Sequence, residues 1–161
     1  MRVLGIDPGS RRTGWGVVQL EGTRLRQIAS GTISISSSLA LPARLRTIHQ
    51  GLLEVVSAHR PEVVAVEEIF FSKHANAALK LGHARGVALL VAAESEIEVH
   101  EYPPAIVKRT VVGRGAADKV QVGRLVTALL GLRVAPEEDA ADALAVAITH
   151  IQASRSARMT R

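Results

Sequence analysis

Cysteine is absent from these 161 residues, which removes thiol nucleophiles, Cys-ligated zinc and iron–sulfur clusters from consideration. Aromatic side chains are almost as scarce: Trp15, Phe70, Phe71 and Tyr102 are the whole set. A sheet that binds single strands by stacking bases on several exposed rings is therefore not expected. No long hydrophobic run occurs. The longest apolar-or-glycine stretch, Gly86 to Ala93, falls far short of the roughly 20 residues that span a bilayer. No basic region followed by an apolar segment precedes the first strand-like run, so a soluble cytoplasmic protein without membrane contact is expected. Lysine is sparse too, with only Lys73, Lys80, Lys108 and Lys119.

What is present is arginine and a few well-placed acids. Lys plus Arg number 20 against 15 Asp plus Glu, a formal net charge of +5. That excess suits a polyanionic partner, and equally suits a merely solvated basic surface. Of only four aspartates, three occupy informative places. Asp7 ends the apolar run Val3 to Ile6 and precedes Pro8-Gly9, while Asp139 and Asp142 lie three apart after Pro136. Glu67 ends a second apolar run, Val63 to Val66. Taken singly, each has an ordinary reading: Asp7 as a turn residue, Asp139 and Asp142 as a helix cap, Glu67 or Glu68 as a solvated strand end.

The hydrophobic periodicity predicts three strands in an antiparallel meander, Val3–Asp7, Thr13–Leu20 and Leu25–Ile35. A helix opened by Ser36-Ser37-Ser38 and running to about Ala58 follows, then a strand at Val63–Glu67, parallel to the first by a right-handed crossover. A helix over about Ala75–Ala93, a fifth strand at Ile97–Tyr102 and helices near Ala105–Thr110, Ala117–Leu130 and Asp139–Ala153 complete the pattern. The expected fold class is α/β: a mixed five-stranded sheet, three antiparallel strands then two parallel, with helices on both faces. Residues 1–153 form one domain, large enough to bury about two thirds of its unfolded surface, and the polar, basic residues 154–161 are expected to be a disordered tail.

This topology places Asp7 and Glu67 at matching ends of neighbouring strands, and Asp139 and Asp142 on one helix face. Carboxylates so gathered repel unless a cation lies between them, and an all-oxygen set suits Mg²⁺ or Mn²⁺ rather than zinc. Two such ions roughly 4 Å apart can activate water on one side of a phosphodiester and stabilise the leaving oxygen on the other. The six histidines show no metal-ligand spacing and read as structural or surface groups.

Four blocks now carry a resemblance: GIDPGSRRTGWGVV (Gly5 to Val18), AVEEIFFSKHANAALKLGHARG (Ala65 to Gly86), VKRTVVGRGAADKVQV (Val107 to Val122) and DAADALAVAITH (Asp139 to His150). In this order and register they resemble the RuvC family of bacterial Holliday-junction resolvases across nearly the whole chain. The resemblance implies an RNase H-like fold, a homodimer and Mg²⁺-dependent cutting of four-way DNA junctions in recombination and repair. It implies two Mg²⁺ ions per site, with Mn²⁺ as a substitute, held by the catalytic acids Asp7, Glu67, Asp139 and Asp142. Lys119 becomes a catalytic and DNA-binding lysine and Lys108 a DNA-binding one, flanking the glycine-rich Gly113-Arg114-Gly115. Phe70 becomes a ring inserted among bases at the junction centre, and Lys73 a phosphate contact beside it. The RuvA–RuvB branch-migration complex is a further candidate partner.

Around these positions the residues leave questions open. Arg11 and Arg12 could meet phosphates or stay in solvent. Ala78, Gly82 and Gly86 form a helix face without bulk, suited to close packing on the sheet or on a partner helix, and the resemblance favours a dimer contact there. Three rival functions compete. An actin-like ATPase or sugar kinase needs two lobes, which 161 residues do not supply. A non-catalytic DNA-binding module would not gather four acids that repel phosphate. RNase H-type cutting of RNA–DNA hybrids is the closest alternative in mechanism.

Overall fold

A computed structural model describes residues 1–68, 75–113 and 118–159. The strands are β1 (Arg2–Asp7), β2 (Arg12–Glu21), β3 (Arg24–Ser34), β4 (Val63–Glu67) and β5 (Glu98–Tyr102). The helices are α1 (Leu41–His59), α2 (Ala75–Glu94), α3 (Pro104–Val112), α4 (Lys119–Leu129) and α5 (Glu138–Met159). All five strands join one sheet in the order β3-β2-β1-β4-β5. β1–β2 and β2–β3 are antiparallel, whereas β1–β4 and β4–β5 are parallel, so the expected mixed sheet is what forms.

Alternation along the strands creates two cores. Val3, Val18 and Ala65 face one side, where α3, α4 and α5 cover them. Leu4, Ile6, Val17, Val64 and Val66 face the other, beneath α1 and α2. Both faces of β1 and β4 are thus buried, which explains why these strands read as continuous apolar runs.

Three expectations need correction. First, α1 begins at Leu41 rather than at the serines. Ile35 donates its N–H to the Arg11 carbonyl, extending the strand edge, and the Ser36 and Ser38 hydroxyls bond each other at 2.8 Å. With those hydroxyls engaged in a turn, helix entry falls to Pro42 in the first turn, whose fixed φ suits that position. Second, α5 continues to Met159, so 154–159 is helical rather than a disordered tail. Extending a helix already anchored in the core needs no new nucleus, and Ala and Arg there are good helix formers. Third, Gly82 and Gly86 do not pack on the sheet. A methyl group at either would meet open space, and α2 buries Ala84, Ala88, Val91 and Ala92 instead.

Candidate active site

The parallel pairing of β1 with β4 sets Ile6 beside Val66, so the next residues, Asp7 and Glu67, emerge side by side from the same sheet edge. The third element, α5, crosses β1 and β2 at unusually close range because those strands carry glycine beneath it. A Cβ at Gly5 would collide with the Ala143 carbonyl, and one at Gly14 with the Asp139 carbonyl. Gly14 is the residue paired with Asp7. The missing side chains therefore let α5 settle until its first turn lies against the end of β1, delivering Asp142 to the acids of the sheet.

Asp7, Glu67, Asp142, Lys108 and Lys119 line one open cavity of about 240 Å³, walled on its apolar side by Val107 and Val122. Burial, then the charge of Glu67 and of Asp142, pushes the Asp7 carboxyl up to about 8. Glu67 is raised by its own burial and by Asp142, against the lowering pull of its hydrogen bond with Asp7 and of Lys108 and Lys119. Asp142 is raised by burial, opposed by Lys119. Asp7 held this way retains its proton near neutral pH unless a cation takes its place. Among the described residues no three ligand-type side chains close around one point as a finished cage.

Lys119 is the first residue of α4, and its position is fixed by a capping box. Asp118 accepts from the Gln121 N–H at 2.8 Å, while the Gln121 side chain accepts from the Asp118 N–H at 3.3 Å. From there the Lys119 Nζ donates to Glu138 at 2.6 Å and reaches the Asp142 Oδ2 at 3.4 Å. Glu138 above all raises the Lys119 pKa, so the ammonium stays charged throughout the working range. Lys108 projects from α3 into the same cavity.

Asp139 stands apart. It does not line the cavity, and its Oδ2 is held at 2.6 Å by the Arg12 Nε, whose Nη2 also grips Glu137 at 3.0 Å. Arg12 thus pairs with acids at the start of α5. Sequence reasoning missed this contact and the Glu138 partner of Lys119. The signal was the doublet Glu137-Glu138 directly before Asp139, two acids for two nearby cations. Phe70 and Lys73, like Arg114 and Gly115 of the glycine-rich turn, lie outside the described residues. His150 is buried and bonded to the Tyr102 hydroxyl at 2.8 Å, in keeping with a structural role.

A sheet ordered 3-2-1-4-5, with acids at the ends of the adjacent strands β1 and β4 and two more on the helix that faces them, defines the RNase H-like class. The comparisons with known proteins narrow this class. The sequence profile described as Crossover junction endodeoxyribonuclease RuvC matches residues 3–150, and the chain belongs to that family. A RuvC of Sorangium cellulosum is 54% identical over 154 residues, 96% of this chain and 86% of that protein. One from Afipia carboxidovorans is 54% identical over 161 residues, 100% of this chain and 94% of its own. The structure of Thermus thermophilus RuvC in complex with a Holliday junction substrate superimposes with a TM-score of 0.92 at 40% identity, covering 98% of this chain and 96% of that one.

Proposed function

We propose that this chain resolves four-way DNA junctions by paired, symmetric hydrolysis of two phosphodiesters, with Asp7, Glu67, Asp139 and Asp142 holding Mg²⁺. The observation that carries the reading is the cavity in which Asp7, Glu67 and Asp142 meet two lysines on an otherwise basic protein. Their raised pKa values mark a site built for a cation rather than for bare carboxylates. When bound, two Mg²⁺ ions would supply Lewis-acid activation of water and of the leaving oxygen. The chain's own part is to position and neutralise. Lys108 and Lys119 place positive charge where negative charge grows on the scissile phosphate, and Glu138 keeps the Lys119 ammonium charged and oriented. The apolar wall of Val107 and Val122 limits water on one side of the cavity.

Substrate selection follows from symmetry. A four-way junction has two-fold symmetry, so a C2 dimer presents two identical pockets to two strands. The outward face of α2 supports a dimer. Leu79 is 62% and Leu90 50% exposed, and Gly82 and Gly86 between them leave room for a close-packed partner helix. Phe70 is assigned the ring that separates bases at the crossover, and Lys73 a neighbouring phosphate contact. Mn²⁺ can replace Mg²⁺, and the RuvA–RuvB complex would deliver migrating junctions to this dimer. Among the described residues no helix is long and apolar enough to cross a membrane. The proposed action on bacterial recombination intermediates supports a cytoplasmic location.

The test is incubation with labelled four-way junction, linear duplex and RNA–DNA hybrid, each with Mg²⁺ and with chelator. Paired nicks in the junction alone, and only with Mg²⁺, are expected. Hybrid cutting without junction cutting would instead establish RNase H-type activity.

A further inference from the structure

The two acids of α5 assigned to metal binding each meet a cation that is anchored to a neighbouring acid as well. Lys119 bridges Asp142 and Glu138, and Arg12 bridges Asp139 and Glu137. The two bridges differ in place. Lys119 lines the cavity, where a substrate phosphate can use its charge, whereas Arg12 does not. The one direct contact of Arg12 with an acid assigned to the metal is with Asp139.

We propose that Arg12 is a latch on metal loading: in the DNA-free protein its guanidinium competes with a divalent cation for Asp139. The backbone delivers it for this purpose. Arg12 opens β2, its strand register fixed against Ser34 of β3, and the preceding carbonyl accepts the Ile35 N–H. The guanidinium then gives each carboxylate its own nitrogen, Nε to Asp139 and Nη2 to Glu137, where a lysine would share a single one. A cation that uses the Asp139 Oδ2 must displace the Nε now 2.6 Å from it, or accept a positive charge against its own shell. The Arg12 side chain is 51% exposed, so the pair is weak enough to open. Glu137 keeps the displaced arginine nearby.

The inference rests on the reading of Asp139 as a metal ligand, and one experiment separates the two. Mn²⁺ binding to the full DNA-free chain is followed by the electron paramagnetic resonance signal of free Mn²⁺, alongside the rise in Tm that Mn²⁺ produces. Arg12→Gln should bind Mn²⁺ about three- to tenfold more tightly than wild type, with a larger Tm rise at equal Mn²⁺. Arg12→Lys, which keeps the charge on a single nitrogen, should fall between. Arg11→Gln removes the same charge from the same turn without a contact to Asp139 and should stay within about twofold of wild type. Equal or weaker Mn²⁺ binding by Arg12→Gln, with Asp139→Asn weakening it as a lost ligand should, overturns the latch alone. If Asp139→Asn binds Mn²⁺ as wild type does, the ligand reading of Asp139 falls and the latch falls with it.

Discussion

Adding one methyl group beneath α5, by Gly14→Ala, should disable the enzyme without touching an acid. The new Cβ would overlap the Asp139 carbonyl oxygen and lie 3.1 Å from the Asp139 Cβ. The obstacle is backbone at the start of a helix, so no rotamer relieves it. Restoring a normal contact requires the first turn of α5 and β2 to separate by roughly 1 Å. Overpacking of this kind costs about 1–3 kcal/mol, and each kcal/mol lowers Tm by roughly 2–4 °C in a chain of this size. The functional loss should be larger, because a displacement of about 1 Å at reacting groups costs about 100-fold in rate. Single-turnover cleavage of a labelled four-way junction, run beside thermal unfolding, measures both. Gly123→Ala is the contrasting variant: it lies inside α4 with nothing near its missing Cβ. It should gain about 0.5–1 kcal/mol from the better helix former. If Gly14→Ala unfolds and cuts like wild type, the close approach of α5 does not position the site.

Three further outcomes follow from the same geometry. In chelator, the folded protein holds the Asp7 proton up to about 8 while the unfolded chain releases it near 3.8, so stability is lost as pH rises between those values; Asp7→Asn should be more stable than wild type at pH 8, with the gap closing toward pH 4 in Tm scans. Lys119→Ala should slow cutting far more than it weakens junction binding, and a junction with unpaired bases at its centre should rescue Phe70→Ala but not Lys119→Ala; equal rescue of both would remove the wedge role of Phe70. Leu79→Glu on the open face of α2 should shift the protein to monomer in sedimentation and abolish paired cutting, whereas a dimer unchanged by it would place the interface elsewhere.

The strands that carry Asp7 and Glu67 were readable because both faces of β1 and β4 are buried, which writes an uninterrupted apolar run ended by an acid. The start of α5 was readable from Pro136 and the i, i+3 aspartates. What the sequence concealed is tertiary. Gly5 and Gly14 look like ordinary strand glycines until α5 lies on them. The serines before α1 carry a helix-start signature, yet their hydroxyls close a turn and Pro42 starts the helix. The bare face of α2 was visible as a run of small residues, but periodicity could not say whether sheet or solvent lay beside it. Arg12 was ambiguous for a related reason, since its partners are 125 and 127 positions away.

The central claim is that four acids work as one metal-holding unit. The direct measurement compares Asp7→Asn, Glu67→Gln, Asp139→Asn and Asp142→Asn on one labelled four-way junction, reading binding in chelator and cutting in Mg²⁺ from the same preparations. Each amide would remove a ligand and, where the carboxyl is ionised, a repelling negative charge, so cutting should vanish while junction binding is unchanged at Asp7, which is protonated in chelator, and unchanged or tighter at the others. Wild-type cutting by any one of the four would take that residue out of the site and contradict the account.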